Sequence, residues 1–278
     1  MYTSLRQIIE SVLREPLKNE IYHTGKVETV SGKNYFLKTG DFSVAYQCEA
    51  HGLNELRKTN IFLLPEVISV GDNYILTQYI ERGKIPTGFY RDFGRKLALL
   101  HKQVATSYGF YEDNYIGGNR QLNVAGGEEQ NNWREFYFNK RLMYQYQLAE
   151  KKGYVSKALK NGFSEIGKKV DRLLNQVHES PSLLHGDLWS GNYLCNIQGE
   201  VVLIDPAVYY GHRETDLAMT KLFGGFPEGF YKAYQEEYPL AEGWQEREPL
   251  YKLYHVLNHL NLFGKSYLSE AEYLVSLL

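Results

Sequence analysis

Residues 184–192 read LHGDLWSGN, and residues 201–206 read VVLIDP. Between these stretches the sequence predicts a β-hairpin, because two short strand-like segments are separated by a turn. The first strand is expected at 192–195, the turn at Gln198-Gly199, and the second strand at 200–204. Polar side chains therefore flank the hairpin on both sides, and the rest of the chain is interpreted around them.

Three of these side chains are suited to holding a nucleotide–magnesium complex. Because a hairpin brings its ends together, Asn192 and Asp205 are expected to lie side by side. Mg²⁺ takes oxygen ligands and keeps phosphate oxygens and waters in its shell. Asp187 lies just upstream and is expected to accept a proton from a substrate hydroxyl. The simpler alternative is that all three are turn or strand-end residues, since Asp and Asn are common there.

The composition is that of a globular protein and narrows the possible partners. The chain has 278 residues, 43% hydrophobic residues and a formal net charge of −2, so nucleic acid is not an expected partner. No apolar stretch reaches the roughly 18–20 residues of a membrane span, and the N-terminus does not have the pattern of a signal peptide. Cys48 and Cys195 lack metal-like spacing, a disulfide between them is not expected, and a reducing, cytoplasmic location fits.

The order of strands and helices predicts an α+β fold in two lobes. Residues 1–80 are predicted as a small, β-rich nucleotide-covering lobe with one central helix, and residues 81–278 as a larger, mainly helical lobe, with a linker at about 78–86. Strands are predicted at 27–30, 34–38, 66–70 and 74–78, and helices at 44–58, 89–104, 133–152, 163–178 and from 216 onwards. A cleft between two such lobes is the expected place for a small-molecule site.

The small lobe contains a candidate phosphate-binding pair. Lys38 ends a predicted strand, where a lysine can meet the α- and β-phosphates of a nucleotide, and Glu49 of the following helix is its expected partner. Glu55 lies six residues on, roughly 600° around the helix, and is expected to point elsewhere. The simpler alternative is a solvated lysine and glutamate. The glycine-rich cover expected over the phosphates is thin, because only Gly25 precedes the first predicted strand.

From about Tyr35 to the end, the chain resembles the fructosamine kinase family, also called ketosamine-3-kinases. This family lies within the protein-kinase-like group that includes aminoglycoside and choline phosphotransferases. The pattern His185-Gly186-Asp187, Asn192 and Ile204-Asp205 is shared with this wider group. The narrower resemblance rests on HGDLWSGN at 185–192, IDPAVYYGHRE at 204–214, FGGF at 223–226, FYKAY at 230–234, LNHLNLFG at 257–264, Asn132-Trp133 and Arg141-Leu142.

The resemblance implies a protein-kinase-like fold and ATP-dependent phosphorylation of a ketosamine hydroxyl, typically O3 of a fructosamine or ribulosamine. Its physiological role would be repair, since phosphorylation destabilises a sugar adduct on an amine. The cofactors implied are ATP and Mg²⁺. The substrate would be a small ketosamine or a glycated protein. The sequence leaves open which of the two it is, which sugar it contains, and the oligomeric state.

The resemblance also implies roles for individual residues. Asp187 would be the proton acceptor, Asn192 and Asp205 the magnesium ligands, and Lys38 and Glu49 the phosphate-positioning pair. The backbone of the inter-lobe hinge, Gln78, Tyr79 and Ile80, would meet adenine. Trp189 would stack on the sugar or on its amine-bearing substituent. His185 and Asp216 would brace the catalytic loop. For His259, a packed helix residue and a site residue both remain open.

Two other functions stay open from the sequence. One is phosphorylation of another small molecule, of the aminoglycoside or choline type. An aminoglycoside site is expected to be strongly acidic, and Trp189 beside the base argues weakly against it. The other is a pseudokinase scaffold, which usually lacks the base, the metal ligand or the lysine. All three are present here.

Overall fold

The computed structural model describes residues 4–40, 43–175 and 177–278. The strands are β1 (Gly25–Glu28), β2 (Asn34–Thr39), β3 (Val67–Gly71), β4 (Tyr74–Gln78), β5 (Asn114–Ile116), β6 (Asn119–Gln121), β7 (Ser182–Leu184), β8 (Tyr193–Cys195), β9 (Val201–Leu203) and β10 (Tyr209–Gly211). The helices are α1 (Leu5–Leu13), α2 (Ser43–Arg57), α3 (Phe89–His101), α4 (Trp133–Tyr137), α5 (Tyr144–Lys151), α6 (Lys157–Ser164), α7 (Ile166–Leu174), α8 (Glu214–Thr220), α9 (Glu228–Glu237), α10 (Trp244–Phe263) and α11 (Leu268–Leu277).

The chain divides into two compact units. The first contains Met1–Pro86 and Leu194–Asp205, and the second contains Thr87–Tyr193 and Pro206–Leu278. The sequence analysis placed the β8–β9 hairpin in the larger lobe. The structure instead groups most of it with the first unit, since Val202 pairs with Leu63 and Asn196 pairs with Arg82.

The first unit is built on an antiparallel sheet with the strand order β1-β2-β4-β3. Both hairpins predicted here are present, as β1–β2 and β3–β4. Helix α1 begins at Ser4, whose hydroxyl accepts the Gln7 backbone N–H while the Gln7 side chain accepts the Ser4 N–H, a capping box. Ile9 of α1 packs on one face of the sheet with Leu37 and Leu76. The helix predicted at 44–58 is α2.

The second unit surrounds α10, a long helix with buried positions on much of its circumference. Trp133, Phe136 and Tyr137 of α4 and aromatic and aliphatic residues of α10 form one core. A π-helical turn at Phe138–Met143 joins α4 to α5, so the helix predicted at 133–152 is present with a local irregularity. None of the helices in the described part of the chain is both long and apolar enough to cross a bilayer.

Two of the predicted helices differ from the structure. The segment predicted as one helix at 163–178 contains the end of α6 and all of α7, because Glu165 between them has φ −107° and ψ 2°, outside the helical region. The helix predicted at 89–104 ends at His101, since Val104 instead forms a bridge with Ser182, the first residue of β7. At the second of these positions, the pairing of Val104 overrides the apolar periodicity of the sequence.

Candidate functional site

The loop after β7 carries the LHGDLWSGN motif and starts from a tight crossing of two segments. Strand β7 pairs with β10, so the residues just after one strand lie beside the residues just before the other. The Ala207 backbone N–H donates to the His185 carbonyl at 2.9 Å. Gly186 has φ +83°, and a Cβ there would collide with the Ala207 carbonyl. This crossing therefore requires glycine at position 186.

Asp187 and Asn192 are hydrogen-bonded to each other within this loop. The Asn192 amide nitrogen donates to the Asp187 backbone oxygen at 2.8 Å and to its carboxylate oxygen Oδ2 at 2.9 Å. Asn192 is buried, whereas Asp187 is half-buried and reaches the surface. The bond holds the carboxylate in one orientation, and the amide oxygen of Asn192 is then the atom that can coordinate a cation.

Asp216 of α8 binds the backbone at the start of the loop. Its carboxylate accepts the backbone N–H groups of His185 and Gly186 at 2.8 and 2.9 Å. His101 Nε2 lies 3.2 Å from the same carboxylate. Burial by itself would raise the pKa of Asp216, but the hydrogen bonds from His101 and the loop hold that pKa below its usual value. An ionised, buried carboxylate therefore fixes the loop backbone immediately before Asp187.

Two further contacts of His185 involve the start of the same loop. Its carbonyl takes part in the crossing with Ala207, and its Nδ1 accepts the Asp187 backbone N–H at 3.3 Å. Both contacts concern the backbone next to Asp187, which supports the predicted bracing role. No role was predicted for His101 of α3, and its bond to Asp216 was missed from the sequence. Its position in the last turn of the helix was the one available signal.

In the first unit, Lys38 is held by two carboxylates. Its Nζ lies 2.7 Å from Glu49 Oε1 and 2.6 Å from Asp205 Oδ1. Burial tends to lower the pKa of Lys38, but the two carboxylates raise it above its usual value, so the ammonium is charged. The predicted contact with Glu49 is confirmed, and Glu55 instead pairs with Lys58. The contact with Asp205 was not predicted.

Asp205 has an unusual backbone conformation for a non-glycine residue. Its φ is +55°, in the left-handed region that L-residues rarely adopt. It follows β9 by two residues, and Asn192 directly precedes β8, as the hairpin prediction required. Strained backbone of this kind tends to occur at functional sites, where the surrounding structure compensates for its cost. That Asn192 and Asp205 share one cation stays a prediction.

A cavity of about 320 Å³ surrounds the Lys38–Glu49–Asp205 triad within the first unit. The hinge residues predicted to meet adenine line the same cavity, at the end of β4. Its lining consists of Lys26, Phe36, Lys38, Glu49, Pro65, Thr77, Gln78, Tyr79, Ile80, Arg82, Leu194, Ile204 and Asp205. The lining combines the hinge segment with charged side chains, the two kinds of group that the base and the phosphates of a nucleotide require.

Trp189 lies in an aromatic row on the second unit. Its indole ring crosses Gly191, where any Cβ would overlap the ring. Phe223 meets the indole edge-on, with ring centroids 5.7 Å apart. The Phe223 ring is also tilted against the His259 ring, with centroids 4.9 Å apart. Phe223 is 44% exposed, has φ +54°, and is followed by Gly224 in the left-handed region.

His259 is half-buried and also contacts Phe263 and Tyr267, with centroid distances of 5.6 and 5.1 Å. Its Nδ1 lies 2.8 Å from the His255 carbonyl, and burial lowers its pKa. His259 therefore belongs to the aromatic row, together with Trp189 and Phe223, rather than to the interior of the core. Phe223 was part of a quoted motif but had no predicted role. The left-handed turn at Phe223 and Gly224, which its FGG sequence permits, was the available signal.

Comparison with known proteins identifies the family. The family model described as fructosamine kinase matches residues 4–278. The chain belongs to the fructosamine kinase family. It is 40% identical over 234 residues to a probable ketoamine kinase of Enterococcus faecium, covering 83% of this chain and 81% of that protein. It is 39% identical over 247 residues to the chloroplastic protein-ribulosamine 3-kinase of Arabidopsis thaliana, covering 86% and 74% respectively.

Solved structures place this fructosamine kinase family member in the protein-kinase-like fold. A candidate fructosamine-3-kinase from Thermobifida fusca superposes with a TM-score of 0.86 at 28% identity, covering 100% of this chain and 99% of that one. An ADP-bound aminoglycoside phosphotransferase superposes with a TM-score of 0.63 at 11% identity, covering 98% and 96%. The second similarity concerns the fold alone. The predicted fold class and family are confirmed.

Proposed function

We propose that the protein is an ATP-dependent kinase that phosphorylates a hydroxyl of ketosamine adducts, on fructosamine or ribulosamine. The observation that carries the phosphotransfer part is the charged Lys38 held between Glu49 and Asp205 in a nucleotide-sized cavity. The ketosamine part rests on family membership and on relatives that are named ketoamine kinase and protein-ribulosamine 3-kinase.

Asp187 is proposed as the residue that receives the proton of the sugar hydroxyl. Its carboxylate is half-buried, accepts the Asn192 amide, and sits on a loop fixed by Asp216. A base held in this way aligns the hydroxyl oxygen for in-line transfer and takes its proton as the new O–P bond forms and the bond from the γ-phosphorus to the ADP oxygen breaks, releasing ADP. Little covalent work is required of the protein, so orientation of this carboxylate is its main contribution.

Asn192 and Asp205 are proposed to hold magnesium. An amide oxygen and a carboxylate are hard oxygen donors, and Mg²⁺ is commonly bound by one or two carboxylates together with phosphate oxygens. The described residues contain no cluster of three or more His, Cys, Asp or Glu suited to a metal. When bound, the ion neutralises charge on the β- and γ-phosphates. Lys38 is proposed to contact the α- and β-phosphates, with Glu49 holding its ammonium in place.

The aromatic row next to Asp187 is proposed as the contact surface for the adduct. Trp189 lies two residues from the base, and Phe223 supports the edge of its ring. An aromatic face packs on apolar sugar surface and attracts an ammonium group, both of which a ketosamine provides. We propose O3 as the phosphorylated hydroxyl, a deglycation role, and a cytoplasmic location, the last in keeping with two cysteines, Cys48 and Cys195, that are both buried.

The alternatives from the sequence are not favoured. The curated relatives above carry ketoamine and ribulosamine names, and the aminoglycoside phosphotransferase shares only the fold. A scaffold without catalysis is disfavoured because the proposed base and the lysine are both present. The base is hydrogen-bonded to Asn192, and the lysine is paired with two carboxylates.

The direct test measures ATP consumption with a matched panel of fructosamine, ribulosamine, aminoglycoside and choline substrates. Ketosamine-dependent turnover, with phosphate found on the sugar by mass spectrometry, is the expected result. NMR of the product identifies the phosphorylated carbon. Turnover with choline or an aminoglycoside but with no ketosamine would contradict the proposal.

A further inference from the structure

The cover over the phosphate end of the cavity contains little glycine. Residues 16–18 pair with residues 28–30 through the Leu17–Thr29 bridge, so residues 19–25 connect two paired segments at the edge of the sheet. This connection contains a single glycine, Gly25. Gly25 does not have a positive φ, and a Cβ there would only touch the His23 ring at 3.9 Å. Kinase-like proteins usually cover the phosphates with a glycine-rich backbone loop. In this chain the corresponding connection contains only one glycine.

Lys26 immediately follows this connection and faces the cavity. In the β1–β2 pairing Lys26 is opposite Phe36, and Lys38 lies two residues further along β2. Side chains at opposite and alternate positions share one face of a sheet. All three residues line the same cavity. Diagonal neighbours across two strands are about 7–8 Å apart at their Cα atoms, a span that a lysine side chain can cover.

Among the residues that the structure describes, Lys26 has no carboxylate partner. Its Nζ rests over the Tyr79 ring at 5.0 Å from the centroid, and no Asp or Glu lies within ion-pair distance of it among the described residues. Lys38, in contrast, is already bonded to both Glu49 and Asp205. Of the two cavity lysines, Lys26 is therefore the one whose charge is available to an incoming anion.

We propose that Lys26 is a nucleotide-binding residue that contacts the phosphate chain of ATP in place of part of a glycine-rich loop. The inference rests on the proposed ATP-dependent function. The exposed contact with Tyr79 is weak, so the flexible side chain leaves it readily for a phosphate oxygen. A lysine ammonium binds phosphate as a point charge and donates charge-assisted hydrogen bonds.

The test compares dissociation constants for adenosine, AMP, ADP and Mg·ATP by calorimetry, in the parent protein and in Lys26→Met. The affinity for ADP and ATP is expected to fall about tenfold, whereas the affinity for adenosine stays within twofold. Lys26→Arg is expected to retain ATP binding within about threefold. The matched control is Lys33→Met, which removes the same charge from the same hairpin. Lys33 is exposed, faces Glu15 at 3.8 Å, and does not line the cavity.

Several outcomes would overturn the inference. Unchanged ATP affinity in Lys26→Met would remove the residue from nucleotide binding. An equal loss for adenosine and ATP, or the same loss in Lys33→Met, would mean that the base contact or the sheet itself was affected. A parent protein that binds no nucleotide would overturn both this inference and the proposed function. If the parent protein binds ATP and Lys26→Met binds it equally well, this inference alone is overturned and the proposed function stands.

Discussion

Asp216→Asn tests whether the buried carboxylate under the catalytic loop positions the base. In the parent protein the carboxylate accepts two loop N–H groups at 2.8 and 2.9 Å and meets His101 Nε2 at 3.2 Å. The amide of asparagine has one acceptor oxygen, so at least one buried N–H is left facing another donor. An unsatisfied buried donor costs about 1–3 kcal/mol, and a lost hydrogen bond to a charged group about 1.5–3 kcal/mol.

These two effects together predict a loss of about 2.5–6 kcal/mol in the free energy of unfolding. For a chain of this size, each kcal/mol lowers Tm by about 2–4 °C, so a decrease of about 5–25 °C is expected by calorimetry. The backbone before Asp187 would also shift, and a misplacement of about 1 Å costs about 10²-fold in rate. We therefore expect kcat to fall by about 10–10³-fold while the KM for ATP changes little.

The control for this prediction is Asp171→Asn. Asp171 is on α7, its side chain is 60% exposed, and its bond is to Arg134 at 2.9 Å. Exposed ion pairs contribute little, so its Tm should change by less than about 2 °C. If Asp216→Asn kept the parent kcat and Tm, the carboxylate would not be the support of the loop, and the reasoning from its three contacts would fail.

Further predictions concern the other site residues and pH. Asp187→Asn should retain ATP binding but lower kcat by about 10²–10⁴-fold in steady-state assays, and turnover within tenfold of the parent would exclude it as the base. Asp205→Ala should abolish Mg·ATP-dependent turnover, and normal turnover would refute the metal assignment. Trp189→Ala should raise the ketosamine KM about threefold to thirtyfold with little change for ATP, whereas a rise in the ATP KM alone would move Trp189 to the nucleotide side. Burial lowers the pKa of His255 to about 3, below its unfolded value of about 6.5. Between these two pH values the unfolded state binds more protons than the folded state, so the free energy of unfolding falls as the pH falls. This group contributes up to about 1.4 kcal/mol per pH unit to that fall. His255→Gln should therefore show a shallower fall in Tm between pH 7 and pH 5, and parallel Tm profiles would contradict this assignment.

The sequence by itself was sufficient for features that depend on neighbours along the chain. The hairpins β1–β2 and β3–β4 follow from alternating apolar residues and turn residues, because register and turn are set locally. The Asp187-to-Asn192 loop is short, so the contact between its ends was within reach of motif reasoning. Lys38 and Glu49 are separated by 11 residues in a strand–loop–helix order, which also made their pairing predictable.

Only the tertiary structure decided the contacts between distant segments. Lys38 and Asp205 are 167 residues apart, and His185 and Asp216 are 31 apart, so no local periodicity relates them. The left-handed backbone at Asp205 exists because the segments packed around it compensate for its cost. The break between α6 and α7 at Glu165 was likewise not predicted from the sequence. A helix pattern in the sequence records which residues prefer to be buried, but the surfaces available to bury them decide where the helix ends.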